Sequence, residues 1–123
     1  MKNIEQFCPT SIFTDKLGGR WKLAIIYNLR SRQLRFGQLA TLVHGISRKV
    51  LTDHLKQMEI DNLITRKEYK EMPPKVEYGL TEAGKDLLPL FQKIDSWVAK
   101  HHVKLSIYTS LMTKSSSILK RSA

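Results

Sequence analysis

Residues 45–55, GISRKVLTDHL, decide how this 123-residue chain folds. Ser47 has the chemistry of a helix N-cap, and Leu51, Leu55 and Met58 follow at helical spacing. On a helical wheel these three fall within about 60° of one another and define a buried stripe. Lys49, Thr52, Asp53 and Lys56 cluster on the opposite side. Yet the helix opens with Arg48 and Lys49, where unpaired N–H groups and the macrodipole are already positive. Each cation there costs ~0.3–1 kcal/mol. Chance is one explanation, because 21 of 123 residues are Lys or Arg. The other is an anion supplied from outside, such as the phosphates a helix N-terminus meets on DNA.

Upstream, Phe36, Leu39 and Leu42/Val43 predict a short helix over residues 36–43, preceded by an extended piece at 34–35. His44-Gly45 then turns the chain into the helix over residues 48–60. Two earlier helices are expected over 10–17 and 20–30, with Gly18-Gly19 between them. In the second, Trp21, Leu23, Ile25, Ile26 and Leu29 are core candidates. Asp61-Asn62 ends the 48–60 helix, since Asn tolerates the left-handed C-terminal position better than most residues.

Downstream the period changes. LITRKEY (63–69) and KVEYGLT (75–81) read as two strands, with Val76, Tyr78 and Leu80 alternating on one face. KEMPPK between them is a turn, because Pro73 and Pro74 cannot continue a ladder. Thr81 then caps a long helix to about His101, which Pro89 should kink by removing a backbone bond.

Two short helices joined by a tight turn, followed by a two-stranded hairpin, make a winged helix-turn-helix, whose second helix normally enters the DNA major groove. The fold class is therefore mainly α with a small β-hairpin wing (α+β), dimerising through terminal helices. Residues 1–103 form this domain, including a C-terminal dimerisation helix. Residues 104–123 are a basic tail, helical or partly disordered.

Charge supports a polyanionic partner. The formal net charge is +10 and the pI about 9.9. Residues 16–52 contain eight basic residues and no Asp or Glu, and five more follow Asp95 without an acid. Ser47, Arg48, Lys49, Thr52, Asp53 and Lys56 are the candidate DNA-reading residues. Arg35, Arg66, Lys67, Lys70 and Lys75 are the candidate wing and flanking contacts. A solvated charged face is the plain alternative. Leu87, Leu88, Leu90, Phe91, Ile94, Trp97 and Val98 wrap too widely for a helix covering one small domain, and are candidate dimer contacts. Packing of the excess on the tail after residue 103 is the other reading.

Several function classes recede. The densest apolar run, LAIIY at 23–27, is too short for a bilayer, and the N-terminus has no signal-peptide core. A single cysteine, Cys8, excludes an intramolecular disulfide and fits a reducing cytoplasm. His101-His102 are helix neighbours about 100° apart, and no Cys or carboxylate pattern joins them, so no metal or other cofactor is expected. No phosphate loop, Ser/His/Asp set or Cys/His dyad suggests an enzyme.

The chain also resembles the HxlR-type winged-helix transcription regulators, relatives of the MarR regulators. The matching pieces are CP (8–9), GGRWKLAIIYNL (18–29), RFGQL (35–39), ISRKVLTDHLKQME (46–59) and PPKVEYGLTEAGKDLLP (73–89). Asn62 stands where Gly is usual, and Gly79 where Ser is frequent. The resemblance implies a homodimeric bacterial or archaeal regulator that binds a two-fold operator in double-stranded DNA. In part of this family a cysteine matching Cys8 senses oxidants or electrophiles, which makes an oxidant or small molecule the candidate effector. Its reactivity needs exposure and thiolate character, and nearby Lys16, Arg20 and the helix N-terminus are the candidates to supply the second. A packing residue under the dimer interface is the alternative. A winged helix used only for protein–protein contact is the alternative function, and the positive reading face argues against it.

Overall fold

The computed structural model describes residues 8–101. Helix α1 (Pro9–Leu17) starts where Cys8 caps it and Pro9 enters its first turn, a position whose N–H has no helical partner anyway. Helix α2 (Lys22–Asn28) is shorter at both ends than the expected 20–30. Helices α3 (Phe36–Leu42) and α4 (Arg48–Ile60) lie close to expectation. Strands β1 (Ile64–Tyr69) and β2 (Lys75–Leu80) pair antiparallel, from Ile64 opposite Leu80 to Tyr69 opposite Lys75.

One core holds this unit together. It contains Leu17 of α1, Ile25, Ile26 and Leu29 from α2 and its end, Leu34, Leu39 and Val43 around α3, Leu51, Leu55 and Met58 of α4, and Ile64 of β1. Full burial of one such side chain contributes ~1.5–3 kcal/mol, so no single helix is stable without the others. Trp21 and Leu23 are only half-buried, whereas Ile25, Ile26 and Leu29 are buried as expected.

Helices α3 and α4 are joined through Gly45, whose φ of +86° favours glycine. Leu51, Leu55 and Met58 at 0%, 2% and 0% exposure form the anticipated stripe. Asn62 takes a φ of 58°, the left-handed C-terminal conformation its sequence position suggests.

The extended piece before α3 has a definite partner. Leu34 and Tyr78 exchange main-chain bonds, Leu34 N–H to Tyr78 O at 2.9 Å and Tyr78 N–H to Leu34 O at 2.7 Å. Strand β2 is therefore flanked on both edges. Its expected alternation is blurred, because Val76, Tyr78 and Leu80 are half-buried while Gly79 on the other face is buried. Gly79 is covered by Gln33 and Thr65, whose Cγ and Oγ1 would lie 3.0 and 3.3 Å from a Cβ at that position.

The long kinked helix expected from Thr81 is two helices instead: α5 (Glu82–Asp86) and α6 (Leu88–His101). Pro89 has no N–H and its ring crowds the carbonyl one turn earlier, so the break falls just before it. Leu87 closes α5 through bonds to Gly84 and Lys85 carbonyls. Thr81 caps α5 as expected, accepting from Gly84 N–H at 3.1 Å. Its hydroxyl also donates towards the carbonyls of Asn62 (2.8 Å) and Leu63 (3.0 Å), docking α5 on the turn after α4.

The chain divides into two compact units, with the boundary between Leu88 and Pro89. In the second unit, α6 has no fully buried residue, and Leu90, Ile94 and Trp97 are 47%, 49% and 57% exposed. No helix among the described residues is long and apolar enough to cross a membrane. The tail reading for 104–123 lies outside the described residues.

Candidate nucleic-acid interface

Helix α4 presents its polar side as the angular pattern requires. Ser47 Oγ accepts Val50 N–H at 3.1 Å, which satisfies one orphan donor and fixes where the helix begins. Arg48, Lys49, Asp53 and Lys56 are all exposed, while Leu51 and Leu55 point into the core. Arg48 lies over the Phe36 ring at 5.6 Å, and this α3 contact steadies its guanidinium at the helix start.

Two details depart from a simple row of donors. Thr52 is half-buried, and its hydroxyl donates to Arg48 O at 2.8 Å. That leaves its methyl and an acceptor lone pair for an outside partner, not a hydroxyl donor. Lys49 pairs with Asp53 at 3.2 Å, so part of the missing anion at the helix start is internal. His54 lies on the inner flank of α4. Burial first, and Lys22 second, hold its imidazole below the usual range, and Asp53 opposes this shift.

The hairpin brings a second set of cations together. Lys67 and Lys75 lie over the Tyr69 ring at 5.0 and 4.7 Å, one from each strand. Lys75 also pairs with Glu77 at 2.9 Å, and Arg66 pairs with Glu68. These carboxylates raise the pKa of each partner cation. Lys70 is exposed beside Glu71, Met72 and Pro74 at the tip, and Met72 is 97% exposed. Arg35 is exposed at the start of α3, where its N–H donates to Gln38 Oε1 at 2.9 Å.

Cys8 is exposed, with no cover from the described residues. In the thiol form Sγ donates to Ser11 Oγ at 3.3 Å and accepts Ser11 N–H at 3.4 Å. The Ser11 hydroxyl first, then its N–H, favour the thiolate and lower the pKa from the usual thiol value. Lys16 and Arg20 do not supply this effect, although their position in the sequence suggested it. Lys16 is eight residues on, about 12 Å along a helix, and pairs with Asp61 at 3.2 Å. Arg20 lies over the Trp21 ring at 4.6 Å. Sequence reasoning missed Ser11, though a serine three residues after a capping cysteine is a readable signal.

The Lys16–Asp61 pair ties α1 to the end of α4. Asp61 Oδ1 also accepts from Gln57 at 3.2 Å, while Oδ2 is buried without a partner among the described residues. Among the candidate dimer residues, Leu90, Ile94 and Trp97 recur at i, i+4 and i+7 on an exposed apolar face. Leu87, Leu88, Phe91 and Val98 are half-buried.

Comparison with known proteins agrees with this geometry. An uncharacterised HTH-type transcriptional regulator of Halalkalibacterium halodurans is 40% identical over 102 residues, covering 82% of this chain and 89% of that protein. The crystal structure of a MarR-family regulator from Porphyromonas gingivalis superposes with a TM-score of 0.72 at 35% identity, covering 85% of this chain and all of that one. The redox regulator HypR in its reduced form gives a TM-score of 0.72 at 32% identity, covering 82% of this chain and all of HypR. Residues 16–105 match the HxlR-like helix-turn-helix family. The chain belongs to that family, and it is an HxlR-type winged helix-turn-helix transcriptional regulator.

Proposed function

We propose that the protein binds a two-fold operator in double-stranded DNA as a homodimer and regulates transcription in the cytoplasm, with no catalytic step of its own. The observation that carries this reading is the split of α4: an apolar stripe at 0–2% exposure on one side, and Arg48, Lys49, Asp53 and Lys56 exposed on the other. Selection of bound duplexes from a random pool tests it. Enrichment of one palindromic sequence is expected, bound in a salt-sensitive way. A protein–protein module would enrich none and would bind duplexes weakly at any salt.

The homodimer assignment rests on the exposed Leu90–Ile94–Trp97 row. Sedimentation at micromolar concentration should give twice the chain mass, and Trp97→Asp should shift it towards the monomer. A wild-type monomer would remove both the dimer and the palindrome.

The wing contacts the phosphate backbone through Lys70 and its neighbours. Lys70→Gln should flatten the log–log salt dependence of operator binding by about 0.9, one phosphate contact. An unchanged slope would remove Lys70 from the interface.

Cys8 is the candidate input for an oxidant or electrophile. Its exposed, Ser11-assisted thiol supports that role, as does the likeness to a redox regulator. Because its pKa is lowered, alkylation should speed up with pH around a midpoint below that of an ordinary thiol. Ser11→Ala should move that midpoint upward. Diamide should weaken operator binding by the wild type and leave Cys8→Ser unaffected. Equal responses in the two proteins would make Cys8 a packing residue.

A further inference from the structure

Three of the cations assigned to DNA already hold a carboxylate from their own element. These pairs are Lys49–Asp53 at 3.2 Å on α4, Lys75–Glu77 at 2.9 Å on β2, and Arg66–Glu68 on β1. The spacing is i,i+4 on the helix and i,i+2 on each strand, the intervals that place two side chains on one face. Lys75–Glu77 is the most enclosed, with side chains 28% and 17% exposed. Arg35, Arg48, Lys56, Lys67 and Lys70 have no such carboxylate partner among the described residues.

We propose that Asp53, Glu68 and Glu77 are built-in substitutes for phosphate that hold down binding to non-cognate DNA; this rests on the DNA-binding reading above. When the protein meets a duplex, each paired cation exchanges its carboxylate for a phosphate. The displaced carboxylate then sits in the negative field of the DNA backbone. Fewer counterions are released per cation presented, so affinity and salt dependence fall below what the row of Lys and Arg would give.

The acids differ in what they do at the operator. Glu68 and Glu77 lie on the wing beside backbone-directed cations, so they weaken all sequences alike. Asp53 lies on the groove side of α4, where a carboxylate accepts from the amino group of cytosine. At the right base it recovers a hydrogen bond, and at a random sequence it does not. Asp53 therefore widens the gap between operator and random DNA.

The test uses the full chain, a selected operator duplex and a random-sequence duplex, each titrated by fluorescence anisotropy across a range of salt. The variants are Glu68→Gln/Glu77→Gln, Asp53→Asn and, as a control that removes one negative charge away from these pairs, Asp86→Asn at the exposed end of α5. The wing double variant should bind both duplexes more tightly, about three-fold or more per released cation, with a salt slope steeper by up to about 0.9 for each. Asp53→Asn should tighten random DNA and lower the operator-to-random ratio. If the carboxamide variants gain no more per charge removed than Asp86→Asn while the wild type binds its operator, the masking role is wrong. An equal gain on both duplexes for Asp53→Asn would remove its part in specificity. If neither wild type nor any variant binds duplex DNA, the DNA-binding reading and this inference both fall.

Discussion

Replacing Arg48, Lys49, Thr52, Asp53 and Lys56 together with alanine is expected to weaken operator binding by about 10³-fold or more, because each well-made bidentate base contact contributes ~1–3 kcal/mol and each phosphate contact adds counterion release. The variant should remain folded. Its five positions lie away from Leu51, Leu55 and Met58, which keep the helix in the core. Alanine is also the best helix former. The lost Lys49–Asp53 pair is exposed at 86% and 60% of its side chains, and such pairs contribute about 0–1 kcal/mol. A melting scan and operator titration on one sample check both halves. Normal binding by a folded variant would show that α4 does not read DNA. Among single changes, Thr52→Ala should alter sequence preference more than Lys49→Ala. With its hydroxyl bonded to Arg48 O, Thr52 offers a base edge chiefly a methyl, which suits thymine, whereas a lysine on phosphate is blind to sequence.

The second large effect concerns stability. Gly84→Ala would place a Cβ 2.4 Å from Leu63 O and 3.1 Å from Leu80 Cδ2. The first neighbour is main chain and cannot swing aside, so either α5 or the turn after α4 must move. Overpacking of this kind costs ~1–3 kcal/mol. It also threatens the bond from Gly84 N–H to Thr81 Oγ1, which fixes the cap of α5. Gly37 is the internal control: it is exposed on α3, and a Cβ there meets nothing within 4 Å. Gly37→Ala should be neutral or stabilising by up to ~1 kcal/mol. Thermal unfolding of the two variants should therefore move in opposite directions, or at least differ by several degrees. Equal melting temperatures would mean that the Gly84 contact relaxes without cost.

Helix α4 was legible because its message is local and repeated. Ser47 as cap, Leu51, Leu55 and Met58 at helical spacing, and Asn62 at φ 58° each report on neighbours within a turn or two. The hairpin was legible for a similar reason, since a change of period and two prolines mark its strands and its turn. Pro89 was read correctly as a disturbance but too weakly. Nothing in one proline reveals that the preceding residues will close a separate helix on Leu63 through Thr81. The candidate reading residues could be named from angle alone, but angle does not report that Thr52 donates to Arg48 O.

By itself, then, the sequence determined the element order as far as β2, the buried stripe of α4, the caps at Ser47 and Thr81 and the basic character of the exposed side of α4, because burial and capping follow from residue type and short-range spacing. Only the tertiary structure decided which distant groups meet. Lys16 reaches Asp61 across 45 positions, Leu34 joins the far edge of β2 at Tyr78, and Gln33 covers Gly79. Such contacts depend on how helices cross and how a strand edge is approached, which packing of the whole core sets. The same holds for Lys16 and the thiol. Closeness in sequence suggested that it would assist Cys8, but a helix carries it about 12 Å away and delivers it to Asp61 instead.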